Sequence, residues 1–301
     1  MRGFLAALLL LATLPAAALQ ERDDRGVQIE LAAPARRIAS LAPHITESLF
    51  AVGAGSAVAA TANHSDHPPA ARALPRLGPY NAIAAEAVAA VAPDLVIAWG
   101  EGNEPNLIRR LESLGIPVYV TDPATLGDIP RTLEAFGRLT GHAREAKRAA
   151  QSFRRRLAEL ERRHRGKRPV VVFYQVWDRP LLTASDRTLI GDVIRLCGGV
   201  NPFGAAAPRY PVVSVEAVLA ADPEVIVASG MGDDRPEWLD RWRRWPLRAV
   251  RRGLLFFVPS DLLQRHSVRV LEGADRLCAA LEAARQDGAL SSVKSPPRPY
   301  N

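Results

Sequence analysis

Apolar residues follow two patterns that alternate along the chain. Short unbroken runs such as Val170–Tyr174 and Leu254–Val258 are typical of strands buried in a parallel sheet. Stretches such as Leu107–Leu114 and Leu189–Cys197 have apolar positions three and four residues apart, which is typical of amphipathic helices. Strands alternate with helices in both halves of the chain. The fold class predicted is therefore α/β, with two lobes built around largely parallel central sheets.

The segment 142–168 carries the excess positive charge of the protein. It holds 11 Lys and Arg against three Glu, a balance of +8, while the whole chain has a net charge of +7. Its apolar residues recur at spacings of three and four: Ala146, Ala149, Ala150, Phe153, Leu157 and Leu160. This spacing predicts one long helix that links the lobes and exposes a solvated basic face. A nucleic-acid or lipid surface is the alternative, but no aromatic residues interleave with the arginines as a base-stacking surface needs.

One motif occurs once in each half of the chain. Glu86–Gly100 and Glu216–Gly230 are identical at 7 of 15 positions without a gap. Each reads as a short helix that begins at Glu, then a turn with proline, then a buried strand that ends in Gly. A motif repeated once at long separation indicates two lobes of related design, with a cleft between them where a small molecule can bind.

The N-terminus predicts export. Arg2 precedes an apolar run, Phe4–Leu14, and small residues follow, as in a secretory signal peptide. We expect cleavage near Ala18, no lipid anchor and a periplasmic protein. The expected organisation is a signal peptide (1–18), an N-terminal lobe (36–141), a linking helix (142–167), a C-terminal lobe (168–285) and a disordered tail (286–301). Export permits a disulfide between Cys197 and Cys278, and neither cysteine has the neighbouring His that a catalytic thiol would need.

Candidate catalytic chemistry is confined to one loop. His64, Asp66 and His67 are three ligand-type residues within four positions, which keeps an exported metallohydrolase as an alternative. No partner motif with Asp or His appears elsewhere, and the chain has neither a phosphate-binding Gly-Lys-Ser/Thr loop nor a dinucleotide glycine fingerprint. We therefore expect a binding protein and not an enzyme, with no metal site and no resident cofactor.

Four segments resemble the cobalamin-binding family of periplasmic receptors, which is the helical-backbone (class III) group of solute-binding proteins for ABC importers. They are Arg37–Glu47, Ser65–Pro69, Gly78–Asn81 and Pro93–Trp99. The resemblance extends from about residue 36 to 284 and includes both cysteines. It implies two lobes joined by one rigid helix, with the ligand in the cleft. Relatives of this fold also carry haem and ferric siderophores, so that ligand class is the alternative.

The resemblance assigns roles to particular residues. The corrin ring is expected against aromatic side chains, with polar groups at its rim. The ligand-binding residues implied are Tyr80, Trp99, His67, Trp177, Tyr210, Asp261 and Arg265. At His67 this chain departs from the family, which usually has Tyr there.

Glu86 and Glu216 match paired surface glutamates that dock onto arginines of the importer. A glutamate in the first turn of a helix can also serve only to complement the helix dipole, with Ser214 as the cap of its helix. The function expected is capture of cobalamin and delivery to the permease and ATPase complex of an ABC importer, by a monomer that binds no nucleic acid.

Overall fold

The computed structural model describes residues 18–230 and 234–293, with side chains described as far as residue 286. The predicted signal peptide lies outside the described residues except for its last position. The strands are β1 Leu19–Arg22, β2 Gln28–Leu31, β3 Ile38–Ser40, β4 Val58–Thr61, β5 Leu95–Trp99, β6 Val118–Thr121, β7 Val170–Gln175, β8 Gly199–Val200, β9 Val225–Ala228 and β10 Leu255–Phe257. The helices are α1 Pro43–Ala51, α2 Ala85–Ala90, α3 Pro105–Ser113, α4 Ile129–Thr140, α5 Ala143–His164, α6 Leu189–Leu196, α7 Val215–Ala221, α8 Arg248–Arg251, α9 Ser260–Leu263 and α10 Val270–Val293.

Each lobe is built on a four-stranded sheet in which every pairing is parallel. The first sheet has the order β4-β3-β5-β6 and the second the order β10-β9-β7-β8. All four residues of β9 and the first four of β5 are buried. Strands buried on both faces need helices on both sides of the sheet, which explains why their sequences are continuous apolar runs. The prediction of two α/β lobes with parallel sheets is confirmed.

The linking helix α5 covers the range that its apolar spacing predicts. Its buried residues include Ala146, Ala150, Phe153 and Leu160, all within a hydrophobic core that also contains residues of both lobes. On the outer face, several arginines pair with nearby carboxylates. The pairs are Arg148 with Glu145, Arg154 with Glu134, and Arg163 with Glu159. Part of the basic face is therefore neutralised locally. No helix among the described residues is long and apolar enough to cross a membrane.

A tight connection sets the direction of α5. Helix α4 ends at Gly141, whose φ of +75° lies in the left-handed region that favours glycine. At Gly137 a Cβ atom would lie 2.2 Å from the Cβ of Ala146, so the absence of a side chain allows α4 and α5 to pack closely. The chain therefore turns back at once and runs along α4.

Two boundaries differ from those predicted. The antiparallel ribbon β1–β2 precedes residue 36 and is joined to the first lobe, since the backbone N–H of Asp24 donates to the carbonyl of Val120. This ribbon was not predicted because polar residues interrupt both of its strands, LQER and QIEL, and leave no continuous apolar run. Helix α10 continues to Val293, beyond the predicted start of a disordered tail at 286, and no proline interrupts it before Pro296. Residues 294–301 lie outside the described residues.

The predicted disulfide is present in the second lobe. Cys197 directly follows α6 and Cys278 lies within α10, and their sulfur atoms are 2.05 Å apart. Both cysteines are buried. The bond therefore fastens the closing helix to α6 across a separation of 81 residues.

We predict that replacing both cysteines by alanine lowers the free energy of unfolding by about 4–5 kcal/mol, the loop-closure value for a ring of this size. Denaturant unfolding of protein exported to an oxidising compartment measures the difference. Reductant should destabilise the parent protein and leave the double variant unchanged. Two titratable thiols in the unfolded, unreduced parent protein would show that the bridge does not form.

Candidate functional site

Aromatic side chains gather where β5 ends beside α1. Trp99 is the last residue of β5, and its ring centroid lies 5.4 Å from that of Tyr80 and 5.1 Å from that of His44. The Trp99 side chain is half-buried, whereas Tyr80 is 38% exposed. Ligands of parallel α/β folds usually bind at the carboxyl ends of the strands. Tyr80 and Trp99 therefore form one wall of a candidate site in the first lobe.

A buried amide holds this wall in place. The side-chain oxygen of Asn103 accepts a hydrogen bond from the backbone N–H of Trp99 at 2.7 Å, and its nitrogen donates to the carbonyls of Tyr80 and Leu41. At Gly102 a Cβ atom would lie 1.9 Å from the Trp99 ring, so only glycine fits there. Sequence reasoning missed Asn103, although its place four residues after the last strand residue could have suggested a side chain bonded to the turn.

Two further candidate aromatic residues belong to the second lobe. Trp177 is 42% exposed and Tyr210 is 38% exposed. The indole N–H of Trp177 donates to the carbonyl of Arg179 at 3.1 Å. Leu182 pairs with both Trp177 and Val212 in antiparallel fashion, so its segment lies between those that carry the two aromatic residues.

Tyr210 lies close to the first lobe. Burial raises the pKa of its hydroxyl, and the carboxylate of Glu101 and the ring of Tyr80 lie near enough to add to the shift. Beside it, Arg209 forms an ion pair of 2.9 Å with Glu101, which follows β5. Burial also raises the pKa of Glu101. Tyr80, Trp99 and Tyr210 are therefore brought together across the cleft, whereas no ring contact of the described residues joins Trp177 to them.

His67 lies apart from this aromatic group. It is half-buried, and its charged neighbours include Arg269 and Glu47. Burial lowers the pKa of its imidazole, and the positive charge of Arg269 lowers it further. Among the rings that the structure describes, His67 contacts none of the aromatic residues named above.

Buried hydroxyl groups fix the loop that carries His67. Ser40 Oγ is 2.8 Å from Thr46 Oγ1, which is 2.5 Å from Thr61 Oγ1, and Thr61 donates to Ser65 Oγ at 2.8 Å. All four residues are buried. This series of hydroxyl contacts links Ser40 of β3, Thr46 of α1 and Thr61 of β4 to Ser65. It therefore ties the loop to the sheet of the first lobe.

The same loop carries the candidate metal ligands, but the carboxylate of Asp66 is paired with an arginine. Its carboxylate forms an ion pair of 3.0 Å with Arg76. The carbonyl of His64 accepts a hydrogen bond from Arg265. Within the described part of the chain, no three His, Cys, Asp or Glu side chains converge on a point that could hold a metal ion.

The two polar residues assigned to the rim of the ligand form a pair with each other. Arg265 Nη2 lies 2.7 Å from a carboxylate oxygen of Asp261, one turn earlier in the chain. The Asp261 side chain is 40% exposed and that of Arg265 is 12% exposed. Asp261 can therefore offer an acceptor to a ligand, while the guanidinium of Arg265 is largely engaged within the protein.

Glu86 and Glu216 occupy equivalent places in the two lobes. Each is the second residue of a short helix, α2 and α7 respectively, and each is exposed. The hydroxyl of Ser214 accepts the backbone N–H of Ala217 at 3.1 Å and caps α7, whereas α2 has no side-chain cap. Ser214 already caps the N-terminus of α7, so capping does not explain why residue 216 is a glutamate.

The model of the family described as periplasmic binding protein matches residues 38–262. This chain belongs to that family. The vitamin B12-binding protein of Vibrio cholerae is 34% identical to this binding protein over 255 residues, which are 84% of this chain and 91% of the relative. That of Pectobacterium atrosepticum is also 34% identical, over 82% of this chain and 88% of the relative. These relatives are named as binding proteins and not as enzymes.

Solved structures agree with this assignment. The crystal structure of the periplasmic vitamin B12-binding protein of Vibrio cholerae matches with a TM-score of 0.77 and 34% identity, over 84% of this chain and 98% of that one. A periplasmic heme-binding protein from Pseudomonas aeruginosa matches with a TM-score of 0.73 and 27% identity, over 82% and 92%. The fold of this binding protein is therefore shared with receptors for both kinds of macrocycle.

Two histidines from opposite lobes meet behind the aromatic wall, and our sequence analysis assigned neither a role. His44 of α1 and His266, which follows α9, are both buried, with ring centroids 5.5 Å apart. His44 Nε2 and His266 Nδ1 have no hydrogen-bond partner among the described residues. Burial lowers the pKa of His44 well below its usual range, with His266 and Arg265 adding to the effect. Burial, assisted by Arg209 and opposed by Asp128, lowers the pKa of His266 to about 4.

These shifts predict a loss of stability in acid. Because the folded-state pKa of His266 lies below the usual 6.5, the unfolded chain takes up a proton first as the pH falls. The stability present above pH 6.5 is therefore lost between about pH 6.5 and 4, by roughly 3 kcal/mol for His266.

Unfolding curves at a series of pH values test this, with His44→Asn and His266→Gln combined in one variant. The variant should lose much of the pH dependence in this range. His142→Asn, at a half-exposed histidine before α5, is the matched control and should keep it. An unchanged pH profile in the double variant would contradict the assignment.

Proposed function

We propose that this protein captures a corrinoid, cobalamin, in the cleft between its lobes and delivers it to an ABC importer in the periplasm. The observation that carries the proposal is the aromatic pair of Tyr80 and Trp99 on the first lobe, with Tyr210 of the second lobe close to Tyr80. The family resemblance adds Trp177 to the second lobe's side of the cleft. A flat macrocycle binds best between broad, rigid apolar faces with a few polar groups that set its orientation. The identity to vitamin B12-binding proteins over most of both chains supports the same ligand.

Direct competition between ligands tests this proposal. The purified protein is offered cobalamin, haemin and ferric siderophores together, and the absorbance spectrum of the retained ligand is recorded. We expect the spectrum of cobalamin. Retention of haemin in its place would favour the heme-binding relatives, and the unpartnered nitrogens of His44 and His266 are then the groups to test as iron ligands. Stoichiometric zinc in protein prepared without chelators would instead support the metallohydrolase alternative.

We predict that Tyr80→Ala and Trp99→Ala each weaken cobalamin binding by about 1–3 kcal/mol, the usual cost of removing a central aromatic contact. Isothermal titration measures the change. Trp245→Ala is the matched control, because Trp245 packs in a separate cluster of the second lobe. Asp66→Ala should also bind nearly as the parent does. The aromatic cleft would be wrong if Asp66→Ala abolished binding while Trp99→Ala left it intact.

Delivery is assigned to Glu86 and Glu216. Both carboxylates are exposed. Within the described chain, neither forms an ion pair or a side-chain hydrogen bond that would give it a structural role. Exposed carboxylates of this kind suit paired contacts with arginines of a partner. Because one lies on each lobe, the two lobes can engage the importer together.

We predict that Glu86→Ala combined with Glu216→Ala leaves cobalamin affinity within about threefold, under 1 kcal/mol, and abolishes stimulation of the importer. Arginine at both positions should be worse than alanine, since like charges then meet. The matched control is Glu104→Ala with Glu272→Ala, which removes one exposed glutamate near a helix start from each lobe. Uptake of labelled cobalamin through the cognate permease is the measurement, and normal uptake by the first pair would return both residues to helix stabilisation.

A further inference from the structure

A buried carboxylate of the first lobe is held entirely by groups of the second lobe. Glu47, in the middle of α1, is 2% exposed. Its Oε1 atom accepts from Arg265 Nη1 at 2.7 Å and from Arg269 Nη1 at 3.2 Å. Its Oε2 atom accepts from the hydroxyl of Ser267 at 2.5 Å. We call Glu47 with these three donors the interlobe ion cluster.

Arg265 connects the cluster to Asp261, which the family resemblance assigns to the ligand cleft. One side of this guanidinium faces Glu47, and the other, Nη2, contacts the Asp261 carboxylate at 2.7 Å and the His64 carbonyl at 3.0 Å. Arg265 therefore bridges a buried carboxylate of one lobe and a partly exposed carboxylate of the other. Arg269 differs, because its guanidinium has no hydrogen bond in the described chain except to Glu47.

The orientation of the Arg265 guanidinium depends on the buried carboxylate of Glu47. An arginine side chain loses considerable rotamer entropy when it is fixed, and its planar fork of donors holds one orientation only where acceptors face both sides. Without the Glu47 charge, two guanidinium groups would remain in the seam between the lobes with no buried counterion, which is strongly unfavourable. Arg265 would then keep only the partly exposed carboxylate of Asp261 as its counterion and would turn with it toward solvent.

We propose that Glu47 is a positioning residue of the ligand cleft: through Arg265 it sets the place of the Asp261 carboxylate. The proposal rests on the function proposed above, because the cleft it shapes is the cobalamin site. Glu47 itself need not touch the ligand.

A purely structural role and a positioning role predict different couplings. If Glu47 only stabilises the fold, its pairs with Arg265 and Arg269 should be coupled in unfolding experiments, and neither pair should be coupled in ligand binding. If Glu47 positions Arg265, that pair should also be coupled in binding, whereas the Arg269 pair should not. Double-mutant cycles on both pairs separate the two cases.

The experiment measures cobalamin affinity and unfolding for Glu47→Gln, Arg265→Gln, Arg269→Gln and the two double variants with Glu47→Gln. We expect Glu47→Gln to weaken binding at least tenfold. Arg265→Gln should cost at least tenfold alone and less than threefold in the Glu47→Gln background. Arg269→Gln should cost the same small factor, under threefold, in both backgrounds. Equal losses for Arg265→Gln in both backgrounds would overturn the proposal.

Glu47→Asp covers the case in which Glu47→Gln does not fold. It keeps the charge and withdraws the carboxylate by one methylene, so it should fold and bind cobalamin at least threefold more weakly. Parental affinity in this variant would also overturn the proposal. Failure of the parent protein to bind cobalamin would refute the proposed function, whereas normal binding with uncoupled Arg265 would refute only the role of Glu47.

Discussion

Both lobes depend on the burial of one narrow stripe of α5. Phe153 and Leu160 lie in a single core with Phe136 of the first lobe and Leu281 of the second. Each fully buried side chain of this size contributes about 1.5–3 kcal/mol, and a helix cannot bend sharply here without losing backbone hydrogen bonds. The linking helix is therefore a shared structural element and not a flexible connection. The lobes cannot separate widely without exposing part of this core.

Because α5 keeps the separation of the lobes nearly constant, the walls of the cleft must be formed before a ligand binds. The Trp99 backbone is held by Asn103, and the loop of His67 is held by the chain of hydroxyls that ends at Ser65. Rigid aromatic walls lose little side-chain entropy when a ligand binds, so less of the contact energy is spent on ordering. The stiffness of α5 and the stiffness of the cleft thus serve the same purpose.

Most of the fold could be predicted from the sequence because its signals are local. The buried runs of β5 and β9, the apolar spacing of α5 and the repeated motif around Glu86 and Glu216 each lie within 22 residues or fewer. The two boundary errors come from a ribbon whose strands are interrupted by polar residues and from a helix end that no proline marks.

The contacts within the site were harder to predict, because they join distant parts of the chain. Glu47 and Arg265 are 218 positions apart, and nothing in either local sequence shows that they meet. Asn103 and Tyr80 are 23 positions apart and meet through a backbone carbonyl, which any residue type provides. The aromatic residues proposed for the cleft come from a family resemblance. Their supporting groups have no comparable signal in a single sequence.

Helix α1 connects the aromatic wall to the interlobe ion cluster. His44 and Glu47 are three residues apart and therefore lie on one face of the helix. His44 packs edge-on against Trp99, while Glu47 is held by the second lobe. Between the lobes, the negative charge of Glu47 is balanced by the guanidinium groups of Arg265 and Arg269. At His44 there is no charge, because burial keeps its imidazole neutral. Helix α1 therefore supports the Trp99 ring with one side chain and joins the two lobes with another, so the aromatic wall and the seam between the lobes share one rigid support.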